Sequence, residues 1–172
     1  HTAPGNHSDK LGRYLMTHPA ATVFGLFKEE TYPHLGVSAG QLLSHDEYDD
    51  KAAAGGFGSS QWMIGHAIKP HDLLGYGTGR PDISGPELEP WLKRAAQHLG
   101  NMTLVCEDIA LPENRITLSD KTDSDGIPHA HTHHDLAPMA AARWTQRMAE
   151  GEEIMRSAGA QEVWSGPRIG MH

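Results

Sequence analysis

The chain has 172 residues, 38% of them hydrophobic, enough to bury one substantial core and within the usual range of a single domain. Its 14 Lys and Arg stand against 22 Asp and Glu, a formal net charge of −8, so it offers no positive field to a phosphate backbone or an anionic membrane surface, and nucleic acid is not an expected partner. No apolar run approaches the roughly 18–20 residues that cross a bilayer, and no charged-then-apolar leader opens the chain; a soluble chain without a membrane segment is expected, cytoplasmic or periplasmic.

Residues 1–9 (His-Thr-Ala-Pro-Gly-Asn-His-Ser-Asp) are turn-rich, and 165–172 (Ser-Gly-Pro-Arg-Ile-Gly-Met-His) form a Gly-rich close. Together they suggest excision from a longer polypeptide. Residues 20–27 (Ala-Ala-Thr-Val-Phe-Gly-Leu-Phe) are β-branched and aromatic and predict a first strand. The Gly-, Asp- and Ala-rich stretch 28–58 predicts a loop excursion. Residues 59–68 predict a second strand, and 69–83, with Gly75, Gly77 and Gly79, a second mobile loop. Ser84-Gly-Pro-Glu87 has the form of a capping box ahead of Leu88, Trp91, Leu92, Ala95, Ala96 and Leu99, which recur at helical spacing up to a stop at Gly100. Strands at 102–108 and 115–118 and a turn at 119–126 lead into Ile-Pro-His-Ala-His-Thr-His (127–133), an expected antiparallel meander. Asp135 is placed to cap a long helix with Pro138 in its first turn and Leu136, Ala140, Trp144, Met148, Gly151, Met155 and Ala158 on one face, ended by Gly159. A short strand at 161–164 follows. The expected fold is α+β: an antiparallel sheet of about six strands with helices packed on one face, in one domain over 1–172.

The densest chemistry lies at His129, His131 and His133. On a strand these three project from one face, with same-face neighbours roughly 6.5–7 Å apart. Two imidazoles so spaced suit zinc or copper if a third ligand comes from elsewhere; equally, they can line a pocket or face solvent as hydrogen-bonding groups. The single cysteine, Cys106, sits in an alternating run and reads as a small strand residue. Neither glycine cluster has the spacing of a dinucleotide or Walker loop, and no Gly-x-Ser-x-Gly elbow occurs. Trp91 and Trp144 sit at helical core spacing.

Four passages, in order, resemble the glucose-methanol-choline family of flavin-dependent oxidoreductases: 10–18 (Lys-Leu-Gly-Arg-Tyr-Leu-Met-Thr-His), 111–118 (Leu-Pro-Glu-Asn-Arg-Ile-Thr-Leu), 125–128 (Asp-Gly-Ile-Pro), and Met171-His172, which is similar to the opening of the family's Gly-Gly-Thr passage. The passage from Asn114 to Pro128 is most similar to the branch of pyranose oxidases and gluconate-type dehydrogenases. The resemblance implies a substrate-binding domain that roofs an FAD held by another domain of the same polypeptide, and oxidation of the CH–OH group of a sugar, polyol or other alcohol. It implies that the catalytic residues lie beyond His172, that His172 itself stands near the cofactor, and that Gln61, His129, His131 and His133 shape the substrate pocket. Alone, such a segment is expected to be inactive. Residues 62–65 (Trp-Met-Ile-Gly) depart from the polar pattern that sugar-oxidising members carry after the glutamine. Two rival readings remain: a stand-alone metal module built on His129, His131 and His133, and a non-catalytic sugar-binding domain.

Overall fold

A computed structural model describes residues 4–38, 40–46, 48, 58–78 and 80–171. Its strands in chain order are β1 (His18–Leu26), β2 (Leu42–Ser44), β3 (Ser60–Ile64), β4 (Leu99–Cys106), β5 (Arg115–Thr122), β6 (Pro128–His133), β7 (Glu162–Ser165) and β8 (Ile169–Met171). The helices are α1 (Pro70–Thr78), α2 (Leu88–His98) and α3 (Pro138–Ser157). Six strands form one antiparallel sheet in the order β2-β3-β4-β1-β7, with β8 also paired to β1, while β5 and β6 make a separate two-stranded ribbon. The α+β class with a sheet of about six strands is therefore what the chain adopts.

Side-chain alternation on β1 divides the core in two. Ala21 and Val23 face α3, where with Trp62, Met102, Leu104 and Cys106 they pack on Met148 and Met155. Phe24 and Leu26 point the other way and, with Leu99, meet Ile68, Leu73, Trp91 and Ala95. Helices consequently flank both faces, α3 on one and α1 with α2 on the other, where the single helical stripe of 138–158 pointed to one face. Burying β1 on both sides is why its sequence is continuously apolar rather than alternating.

Several local expectations are corrected. Glycines 75–79 predict a loop, yet Pro70–Thr78 is helical. Asp72 Oδ2 accepts the Lys69 N–H at 2.9 Å and so satisfies the opening of α1, and Leu73 is buried. The absent Cβ of Gly77 lets α1 approach the Trp91 ring, 3.0 Å from where that atom would stand. The other expected loop, 28–58, contains β2, and its residues 39, 47 and 49–57 lie outside those described. Ser84 precedes a 3₁₀ turn, Gly85–Glu87, with no side-chain cap; its carbonyl accepts the Glu87 N–H instead. Gly100 does not stop α2. It sits inside β4 opposite Gly25, and Phe27 lies over it so closely that a Cβ would stand 2.7 Å from its ring.

The meander is also not formed. β4 is enclosed between β3 and β1, and β5 pairs with β6, with a single bridge from Arg115 to Arg13. The ribbon's register shifts between Leu118 and Thr122, which carries β5 four residues past the expected strand end. Ala137, not Asp135, occupies the cap position of α3, with Pro138 in the first turn as expected. At its far end Gly159 has φ +98°, and the Ala160 N–H closes on the Met155 carbonyl at 3.1 Å, the left-handed stop. α3 also buries Arg143 and Arg147, which the apolar spacing does not disclose; Arg147 pairs with Glu150 one turn on.

The closest approach of α3 to the sheet is at Gly151, where a Cβ would lie 2.3 Å from the Trp62 ring. Alanine in a helix interior normally gains about 1 kcal/mol over glycine, but overpacking against a buried indole costs about 1–3 kcal/mol. The clash wins. Gly151→Ala is expected to lower stability in urea denaturation by roughly 1–2 kcal/mol, whereas Gly75→Ala in α1, where a Cβ meets nothing within 4 Å, leaves it unchanged or raises it.

Candidate functional site

The α1–α2 cluster takes only Phe24 and Leu26 of β1 and Leu99 of β4. The register carries the same sheet face onward through Thr22, Ala20 and His18 on β1, Thr103 and Val105 on β4, and Gln61 and Met63 on β3. This half is polar where the other is aromatic. The Thr22 and Thr103 hydroxyls, opposite each other across the β1–β4 pair, are hydrogen-bonded at 2.8 Å, and each satisfies the other inside the sheet.

Gln61 stands at the open margin of this face. Its Oε1 accepts a hydrogen bond from His45 Nε2 at 3.0 Å, which leaves the amide NH₂ as the donor. The His45 ring lies 5.5 Å from that of Tyr48. Gln61, His18, Tyr48, Ser59, Val105 and Glu107 line a cleft of about 220 Å³, anchored where Glu107 Oε2 accepts the Ser59 N–H at 2.9 Å. An amide donor, an imidazole, a phenol and a carboxylate around a small space suit a ligand bearing several hydroxyls. Of the pocket residues expected from the sequence, Gln61 is here; His18, the last residue of the 10–18 passage, and Cys106 also line the cleft. His45 and Tyr48 escape sequence reasoning, because they lie between strands rather than repeat along one.

The histidine strand stands elsewhere. His129, His131 and His133 lie on β6 in the separate ribbon, where every residue is exposed. His131 is opposite Thr117 and His133 opposite Arg115; His133 Nε2 reaches Asp135 at 3.4 Å across an exposed pair. Among the described residues, no group of three or more His, Cys, Asp or Glu side chains is placed to hold a metal. His172 lies outside the described residues.

Two of the familiar passages, 10–18 and 111–118, meet in space. Gly12 and Ile116 are joined by the Ile116 N–H donating to the Gly12 carbonyl at 2.7 Å. Gly12 has φ +76°, and a Cβ there would stand 2.3 Å from the Ile116 oxygen, so the position admits only glycine. Arg13 donates to the Pro112 carbonyl and to Asp9. The hydrogen-bonded guanidinium of Arg13 holds the Asp9 carboxyl below its ordinary value of 3.8. Whatever this exposed pair adds to stability is thus present above about pH 4 and lost as Asp9 protonates. Asn114 is completely buried and grips the chain ahead of α3: its Nδ2 donates to the Asp135 carbonyl at 2.9 Å and its Oδ1 accepts the Asp135 N–H at 2.8 Å. Its own carbonyl accepts the Leu15 N–H at 3.0 Å. One amide thereby ties the two passages to the lead of the long helix.

No helix among the described residues is long and apolar enough to cross a membrane. No family model matches the chain, and no curated protein matches it.

Asn114→Ala leaves two backbone groups of Asp135 without their partner and opens a cavity. It is expected to cost about 2–4 kcal/mol in urea denaturation. Asn114→Asp keeps the shape but sets an acceptor against the Asp135 carbonyl, and is expected to lose at least as much. A near-neutral result for either variant would show that the amide does not hold this junction.

Proposed function

We propose that this chain is the substrate-side domain of an FAD-dependent oxidoreductase acting on the CH–OH group of a sugar, polyol or other alcohol, as in the glucose-methanol-choline enzymes that its passages resemble. The observation that supports it most is the half of the main sheet that bears Thr22, Thr103 and Gln61, over which no helix lies among the described residues, with His18, His45 and Tyr48 near Gln61. The ordered passages add to this, because two of them form one packed unit at Gly12 and Ile116.

FAD fits this chain as a neighbour against that face. The glycines at 75 and 77 lack the spacing of a phosphate loop and are helical, and no strand–glycine loop–helix cradle lies among the described residues. The dinucleotide would be held by the flavin domain of the same polypeptide, and when bound it supplies the hydride acceptor. What this chain contributes is orientation. The Gln61 NH₂ donates to a substrate hydroxyl, with its amide plane fixed by His45, and the His18 imidazole accepts or donates beside it. Thr22 and Thr103 engage each other and leave that part of the face without competing groups.

The test is the reading frame on both sides of codons 1–172. It is expected to encode a Gly-x-Gly-x-x-Gly turn before them and a Gly-Gly-Thr passage followed by a histidine after them. The protein from the whole frame is expected to purify with bound flavin and to reduce it with an alcohol. In that protein Gln61→Ala should raise KM about three- to tenfold at unchanged flavin content, the roughly 0.5–1.5 kcal/mol of one neutral hydrogen bond. A whole-frame protein without flavin, or one that no sugar or polyol reduces, overturns the proposal.

A further inference from the structure

A second cleft, of about 350 Å³, opens where β1 begins and β8 starts, lined by Thr17, Pro19, Thr132, His134, Leu136, Arg168 and Ile169. Behind it is a buried charge. The Asp108 side chain is 1% exposed, and its Oδ2 takes a hydrogen bond from His134 Nε2 at 2.6 Å. The Thr17 N–H donates to the same oxygen at 3.2 Å, and the Ile109 N–H to Oδ1 at 2.7 Å. An ionised carboxylate is costly to bury, and here three donors compensate it. The consequence for His134 is a fixed ring. Nε2 gives its proton to Asp108, which leaves Nδ1 as the nitrogen turned away from the carboxylate. Nδ1 makes no hydrogen bond among the described residues and is not sealed from solvent.

The other charged member is Arg168. Its guanidinium stacks loosely over Trp144, 5.9 Å from the ring centre, and makes no ion pair among the described residues. The cleft is thus lined by one arginine without an ion pair among the described residues, one imidazole held through its other nitrogen, and two threonine residues. A carboxylate matches the guanidinium fork, and a hydroxyl, which both donates and accepts, matches Nδ1. A clamp between the end of β4 and the end of β6 would account for Asp108 and for the His134 Nε2–H, but not for an open arginine sharing a cleft with Nδ1.

We propose that this cleft binds a small hydroxycarboxylate, with Arg168 on the carboxylate, His134 Nδ1 accepting from the hydroxyl, and Asp108 acting as the positioning residue for the imidazole. The site stands independently of the flavin reading, because binding is a property of residues 17–169 alone.

The test is a titration of the whole chain with lactate, tartrate and gluconate, followed by the histidine ring signals in ¹H–¹³C NMR, with His134 assigned by His134→Gln. At least one of the three is expected to shift the His134 signal saturably at millimolar concentration. Propionate, which lacks the hydroxyl, and glycerol, which lacks the carboxylate, should bind at least about threefold and tenfold more weakly. Arg168→Gln, at an exposed position, should leave the spectrum folded and weaken binding at least tenfold. No saturable shift with any of the three acids, equal binding of lactate and propionate, or binding that survives Arg168→Gln overturns the proposal. Asp108→Asn, if it folds, should weaken binding of the hydroxy acid and leave that of propionate unchanged, which a purely structural role would not produce.

Discussion

The antiparallel pairing of β1 with β4, from Ala20–Val105 to Leu26–Leu99, is the constraint on which the rest of the structure depends. Because the pleat sends neighbouring residues to opposite sides, this one pairing decides two surfaces at once. Ala21, Val23, Met102 and Leu104 face α3, and the positions between them make the other face. A one-residue slip would part Thr22 from Thr103 and send one of the two under the long helix, against Met148 and Met155, while its partner stayed on the other face. The glycine pair Gly25–Gly100 secures the register from the other end, since Phe27 and Ala160 occupy the space that two Cβ atoms would need.

Given that register, the second face cannot be uniform. α1 and α2 are short and reach Phe24 and Leu26 of β1, Leu99 of β4 and Trp164 of β7. Beyond them the residues turn polar, and the clefts of the molecule begin there and at the sheet's edge. The separate ribbon needs a different support, because two strands alone are marginal in water. It is held at its root, where Gly12 lies against Ile116, Arg13 bridges to Arg115, and Asn114 binds both the backbone N–H and the carbonyl of Asp135. These are backbone contacts made by polar or side-chain-free residues, so they add rigidity without adding apolar area.

How much of this the sequence discloses follows from the range of each interaction. α2 and α3 are legible because their apolar residues repeat at 3.6, and β1 because both its faces are buried. The six-stranded antiparallel class follows from such elements. The errors lie where a partner distant in sequence overrides a local signal. Gly77 reads as a loop former until Trp91 is set against it, and Gly100 reads as a helix stop until Phe27 covers it. Asp135 reads as a cap, yet it is its peptide group that is used, by Asn114, 21 residues away. The meander fails for the same reason: β4 follows α2 directly and takes partners already made, leaving β5 and β6 only each other. Of the candidate site, Gln61 and His18 are on the main sheet; His45 and Tyr48 come from the segment that connects β2 to β3, which has no period to detect.

The histidines show why residue type and spacing are weaker guides to chemistry than orientation. His129, His131 and His133 have the spacing of a chelating strand, but all three are exposed, and among the described residues the ion pair their rings make is the open one of His133 with Asp135 at 3.4 Å. A ring free to rotate in water spends its binding energy on being ordered first. His45 and His134 have no notable spacing, yet each is fixed by one oxygen, that of Gln61 at 3.0 Å or of Asp108 at 2.6 Å. That bond selects the tautomer and directs the remaining nitrogen before any ligand arrives. Orientation is also what the Asp108 carboxylate gains in exchange for its burial, since the two backbone N–H groups and His134 that neutralise it leave the imidazole only one way to face.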